Sequence, residues 1–73
     1  MKRKKSIVEC KVTLGNEPQR QYLCKRIREL GAEPKVVGET VTVTARYPSH
    51  QAEMLIELTE GYWRHEICVL NEK

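Results

Sequence analysis

The chain has 73 residues and a formal net charge of +3. This length leaves room for one domain, which buries about 60% of the surface that its unfolded form exposes. No apolar run approaches the roughly 20 residues of a membrane span, and no apolar stretch follows the basic residues 1–5 as in a secretion signal. We therefore expect a cytoplasmic protein without membrane contact, with residues 1–5 as a flexible basic arm and residues 71–73 as a tail.

A strand and a helix are predicted after the arm. Apolar and polar side chains alternate over residues 7–14 with the period of two that is typical of a half-buried strand. Asn16 is placed to cap a helix that ends near Gly31. Leu23, Ile27 and Leu30 follow each other at i, i+4 and i+7, which predicts one apolar stripe that packs on a sheet.

The centre of the chain, residues 34–47, predicts a β-hairpin, because β-branched residues are concentrated there. The turn is placed at Gly38 and Glu39, since glycine at the first central position suits a type II′ turn. The alternation of the second hairpin strand predicts four side chains in the core: Val41, Val43, Ala45 and Tyr47.

A second helix and a last strand complete the chain. Ser49 is the expected N-cap of this helix, and Gly61 is expected to end it. Residues 62–70 predict a strand of less obvious parity, in which Ile67 and Val69 are placed inward because that leaves Arg64 in water.

The element order β-α-β-β-α-β predicts an α+β fold, the ferredoxin-like plait, over residues 6–70. In this fold two helices cover one face of a four-stranded antiparallel sheet, and the first and third strands are central. The other face has no helix over it, and we expect an interaction surface there. Its predicted residues are Glu9, Lys11, Thr13, Thr42, Thr44, Arg46 and Arg64.

The charge distribution suggests nucleic acid as an alternative partner. Residues 1–36 hold ten Lys/Arg and four Glu, whereas residues 37–73 hold three and six. Clusters of cations of this kind neutralise phosphates. The strands carry too few aromatic residues for the base-stacking platform of an RNA-recognition sheet. The candidate phosphate contacts are Lys2, Arg3, Lys4, Lys5, Arg20, Lys25, Arg26 and Arg28.

Enzymatic chemistry is not expected, nor is a metal or another cofactor. The chain has no Asp, and its four glycines are isolated, so no phosphate-binding loop is formed. His50 and His65 lack the spacing of a metal motif, and Cys10 with His65 is a possible pair only in three dimensions. The three cysteines, of which Cys24 and Cys68 are the others, are interpreted as reduced core residues.

A non-enzymatic binding or regulatory module with a protein partner is therefore the favoured function. Self-association as a homodimer is one form of it, and the size suggests a small protein of phage or mobile-element type. The edge strands are expected to be short and charged, which discourages uncontrolled pairing. An apolar interface patch is predicted at the end of the second helix, from Met54, Leu58, Tyr62 and Trp63.

Overall fold

The structure is a computed structural model that describes residues 6–71. The predicted basic arm, residues 1–5, lies outside the described residues, as do residues 72 and 73. The element order is the predicted one. The elements are β1 (Ser6–Thr13), α1 (Glu17–Glu29), β2 (Lys35–Val37), β3 (Thr40–Tyr47), α2 (His50–Glu60) and β4 (His65–Asn71).

The four strands form one antiparallel sheet with the order β2-β3-β1-β4. This arrangement confirms the ferredoxin-like plait, with β1 and β3 central and β2 and β4 at the edges. The register places Val8 of β1 opposite Ala45 of β3 and Val69 of β4. Ser6 lies opposite Asn71, so the first and last strands run side by side over their whole length.

The core lies on one side of the sheet. Alternate side chains of β1 and β3 are buried there together with the inner side chains of both helices, so both helices cover the same face, as predicted. The sheet contributes Val8, Cys10, Val12, Val41, Val43 and Ala45, and the helices contribute Leu23, Cys24, Ile27, Ala52, Leu55 and Thr59.

Both helices begin at the predicted caps. The Asn16 side chain accepts a hydrogen bond from the Gln19 N–H at 3.1 Å, and the Ser49 hydroxyl accepts one from the Ala52 N–H at 3.0 Å. Each bond satisfies a donor that the first helical turn leaves unpaired. After α1 the chain turns at Gly31, whose φ of +86° lies in the left-handed region that suits glycine after a helix.

The hairpin turn is the predicted two-residue turn. Val37 ends β2 and pairs with Thr40, which begins β3. Gly38 has a φ of +61°, whereas no non-glycine residue among residues 6–71 has a positive φ. A positive φ at the first central residue only is the signature of a type II′ turn, and the prediction is confirmed.

The alternation of β3 continues beyond the part of the sheet that the helices cover. Tyr47 was predicted in the core with Val41, Val43 and Ala45, but its side chain is 38% exposed, and this prediction is wrong. Tyr47 is the last residue of the strand, where the backbone turns through a cis Tyr47–Pro48 bond toward α2.

The last strand begins at His65, three residues later than predicted, and extends to Asn71. Tyr62 does not belong to it, because its N–H donates to the Thr59 carbonyl at 3.0 Å and prolongs the end of α2. The predicted parity is correct, since Ile67 lies opposite Cys10 on the helix-covered face. Val69 shares that face but is 57% exposed at the sheet edge.

The three cysteines are free, as expected, but they do not share one environment. Cys10 and Cys24 are buried in the core. Cys68 is exposed, and it lies opposite Glu9 on the face of the sheet that has no helix over it. Its interpretation as a core residue is wrong. Successive side chains of a strand point to opposite faces, so Cys68 points away from the core that its neighbour Ile67 faces.

Candidate functional site

The face of the sheet opposite the helices, called the open face below, carries the predicted interaction residues in rows across the strands. In one row Lys11 lies between Thr42 of β3 and Glu66 of β4, and in the next Glu9 lies between Thr44 and Cys68. Side chains opposite each other on neighbouring strands lie within interaction distance. The remaining predicted residues are Thr13, opposite Thr40, Arg46, opposite Ile7, and Arg64, at the entry to β4.

Charges of both signs are mixed on the open face. The Lys11 ammonium lies 3.8 Å from the Glu9 carboxylate on the same strand, with both side chains partly exposed. Such a surface pair contributes little to stability. The hydroxyls of Thr13 and Thr40 lie 3.4 Å apart across β1 and β3. These groups are therefore available to a ligand at little cost to the fold.

Trp63 is the most exposed large apolar residue of the described chain, at 91%. It precedes β4 and stands beside a depression of about 460 Å³ at one end of the open face. The structure thus joins Trp63 to the sheet-face residues, which the sequence had placed in a separate site. The depression is lined by Lys11, Thr13, Thr40, Trp63, Arg64, His65 and Glu66.

The predicted apolar patch is divided in the structure. Leu58 and Tyr62 are partly buried and pack against the core, and Met54 is also partly buried on α2. Burial raises the pKa of the Tyr62 phenol, with the neighbouring Tyr22 as a second cause. Only Trp63 offers most of its surface to solvent, so it is the member of this set that is available as an anchor.

The opposite end of the open face carries two aliphatic side chains beside Arg46, and the sequence analysis did not predict the exposure of Leu70 there. Ile7 lies directly opposite Leu70, which is 49% exposed, and Cys68 follows one row further along β4. The signal was present in the parity of β4, because placing Ile67 and Val69 inward also places Cys68 and Leu70 outward. The open face therefore has Trp63 at one end, a polar centre, and Ile7 and Leu70 beside Arg46 at the other end.

Of the predicted cations of α1, Arg20 is half-buried and the others are exposed, and several have partners. The Arg20 guanidinium donates to the Leu14 carbonyl at 2.6 Å. Arg26 donates to the Tyr22 hydroxyl at 3.3 Å and lies 3.6 Å from the Glu29 carboxylate. The remaining predicted cations of the helix are Arg28, 4.0 Å from the Glu33 carboxylate, and Lys25, which is exposed.

The structure does not pair Cys10 with His65. Cys10 lies opposite Ile67, is 1% exposed, and burial raises the pKa of its thiol although a hydrogen bond with Thr59 opposes this. His65 is exposed, and its Nδ1 is hydrogen-bonded to the Tyr62 carbonyl. A protonated, enclosed thiol is a weak nucleophile, so this pair offers no reactive site.

Two further observations concern residues 6–71 as a whole. Neither α1 nor α2 has the length and apolar character needed to cross a membrane. No three metal-ligating side chains are grouped in this part of the chain.

Comparison of the chain with protein-family models, curated proteins and solved structures gave no match.

Proposed function

We propose that the protein is a non-enzymatic, cytoplasmic binding module that recognises a protein partner through the open face, with Trp63 as the anchor. The observation that carries this proposal is the 91% exposure of Trp63 beside that face. Burying an aromatic side chain withdraws about 150–250 Å² from water, which is worth roughly 4–6 kcal/mol at 25 cal/mol per Å². A partner that covers Trp63 gains part of this free energy, because the freedom that both molecules lose on association offsets the rest.

The composition of the open face favours a protein over a nucleic acid. Glu9 and Glu66 stand among its cations, whereas a surface that tracks phosphates needs an excess of positive charge. Trp63 next to Arg64 combines two residue types that are enriched among interface hot spots. The exposed side chain of Leu70 adds an apolar contact of the kind found in protein interfaces.

Trp63 is the only tryptophan of the chain, so its fluorescence reports directly on this site. The free protein should emit like a water-exposed indole and be quenched readily by iodide. Binding of the partner should shift the emission to the blue and reduce quenching. A partner that binds without changing either signal would show that Trp63 is not at the interface.

Affinity capture from the host with matched variants tests the same proposal independently. Trp63→Ala should lose the partner that the unchanged protein retains. Tyr22→Ala is the control, because Tyr22 is 55% exposed on α1, on the other side of the sheet. Equal capture by Trp63→Ala and the unchanged protein would contradict the proposal.

Nucleic-acid binding through α1 is the second candidate function, and the exposure of Lys25, Arg26 and Arg28 on one helix favours it. The carboxylates of Glu29 and Glu33 beside two of these cations weaken the positive potential. Binding to random DNA that falls steeply with salt would support this candidate. No retention on DNA at low salt would remove it.

A further inference from the structure

The free edge of β4 is a second surface, separate from the open face. β4 ends the strand order of the sheet, and it is seven residues long, whereas β2 at the other edge has three. The expectation of short, charged edge strands is therefore correct for β2, whereas in β4 the expected charge is present at Glu66 and the expected short length is wrong. Residues 67–70 are uncharged, and Val69 and Leu70 are about half exposed. Long apolar edges of this kind attract additional strands.

The hydrogen-bond pattern shows which main-chain groups of β4 face this edge. The Thr13 N–H donates to the Arg64 carbonyl at 3.1 Å, so these residues are a hydrogen-bonded pair in the register of β1 and β4. Such pairs alternate along an antiparallel ladder. Glu66, Cys68 and Leu70 therefore direct their main-chain groups toward β1. His65, Ile67 and Val69 direct theirs to the side of β4 that no strand of residues 6–71 occupies.

The flank of α2 above this edge is acidic. The Gln51 side chain donates to the Leu30 carbonyl at the end of α1, which orients that side of α2 toward α1. Glu53, Ile56 and Glu60 follow at i, i+3 and i+7 and form a stripe on the other side of the helix. That side lies over β4, because α2 and not α1 packs on this edge of the sheet.

The packing of α2 agrees with this placement. Ile56 and Ile67 both pack against the core cluster, and α2 contacts β4 as well as β1 and β3. The edge thus combines main-chain groups that no strand of residues 6–71 pairs with, the apolar side chains of Ile67 and Val69, and two carboxylates above them.

We propose that β4 accepts an extended segment of a partner protein as a fifth strand, and that this segment carries lysine or arginine side chains directed at Glu53 and Glu60. Strand addition supplies main-chain hydrogen bonds, and the alternate side chains of the added strand supply specificity. A second copy of the chain fits less well, because two-fold pairing of β4 with β4 brings two acidic flanks together, and like charges across an interface oppose association. This inference does not depend on the function proposed for the open face.

The test uses a synthetic octapeptide of alternating lysine and valine, with a glutamate–valine octapeptide as the charge control. Binding is followed by two-dimensional amide NMR of the isotope-labelled protein. The lysine peptide should protect the Ile67 and Val69 amide protons from exchange and leave those of Cys68 and Leu70 unchanged, because these already face β1. The glutamate peptide should bind at least several-fold more weakly.

Matched variants separate the main-chain and charge contributions. Val69→Pro removes an outward N–H at an edge position where proline is tolerated, and it should weaken peptide binding about ten-fold or more. Val36→Pro makes the same change on the β2 edge, because Val37 and Lys35 are the residues of β2 that bond β3, and it should leave binding unchanged. Glu60→Lys should weaken binding about two- to five-fold, as expected for an exposed ion pair, whereas Glu33→Lys, with the same change in charge beside α1, should not.

Three results would overturn the inference. The first is equal binding of both peptides, and the second is protection of amides outside β4. The third is dimerisation of the protein alone, measured by sedimentation and abolished by Val69→Pro, which would make a second copy the occupant. None of these results bears on Trp63, so the function proposed for the open face stands or falls separately.

Discussion

The Gln51 side-chain amide donates a hydrogen bond to the Leu30 carbonyl at 2.9 Å, which ties the beginning of α2 to the end of α1. Leu30 is the C-cap of α1. Its carbonyl is one of those at the end of a helix that accept no hydrogen bond from an N–H of the same helix. The bond is partly buried, so breaking it leaves a desolvated oxygen. It is a direct link between the two helices, made by one side chain.

Gln51→Ala should therefore lower the free energy of unfolding by about 0.5–1.5 kcal/mol, the usual net worth of such a bond. Urea denaturation followed by circular dichroism measures this change. Gln21→Ala is the control, because the Gln21 amide donates to the Glu17 carboxylate at 3.3 Å within one helix and on an exposed surface. Equal effects of the two variants would show that the link between the helices adds no stability.

Leu55→Ala should destabilise the fold by about 2–5 kcal/mol, because the side chain is fully buried and its loss leaves a cavity. The whole domain is expected to be stable by only about 4–11 kcal/mol, at 0.05–0.15 kcal/mol per residue. Trp63→Ala should change the stability by about 0.5 kcal/mol or less, since surface substitutions rarely do more. Denaturant melts of both variants make the comparison, and a costly Trp63→Ala would mean that Trp63 packs in solution.

Thiol labelling of the native protein should show one fast cysteine and two slow ones. Cys68 is exposed on the open face, whereas Cys10 and Cys24 can react only when the core opens. Cys68→Ser should therefore remove the whole fast phase. Two or three fast thiols in the unchanged protein would contradict the burial of the other cysteines.

The stability should fall at alkaline pH through Cys10. Burial raises the pKa of this thiol in the folded chain, so the folded form stays protonated where the unfolded thiol, with a pKa of about 8.5, already ionises. The resulting stabilisation is complete below the unfolded pKa and is lost as the pH rises toward the folded pKa.

Urea melts at pH 7 and pH 10 test this expectation. The stability advantage of the unchanged protein over Cys10→Ala should shrink between them, by at most about 1.4 kcal/mol for each pH unit above 8.5. Cys68→Ala is the control for the loss of a thiol as such, because it removes an exposed cysteine. A constant difference for Cys10→Ala would mean that the thiol ionises as easily in the folded chain as in the unfolded one.

Much of the fold could be predicted because local patterns and caps agree with it. Asn16 and Ser49 are caps in sequence and in structure, and the glycine at position 38 determines the turn type. The alternation of β3 correctly separated its two faces. It could not show where the helical cover ends, and Tyr47 is exposed for that reason. Periodicity reports which way a side chain points, and burial also depends on what lies above it.

The candidate site was less predictable than the fold. A lone tryptophan in a small protein is more often a core residue, and nothing local in Trp63 indicates exposure. Its position follows from the way Tyr62 prolongs α2 and delays β4 to His65, so that Trp63 falls on the turn between them. The acidic flank above β4 depends on the helix rotation that Gln51 helps to determine, which requires the tertiary structure.

The pairing of Ser6 with Asn71 brings the two ends of the described chain to within roughly 5 Å of each other, as for any directly opposed residues of an antiparallel pair. A domain whose entry and exit coincide can be carried in a surface loop of a host protein without stretching that loop. Residues 6–71 are thus suited to transplantation as an insert, and the same geometry permits circular permutation with new ends opened at the Gly38 turn.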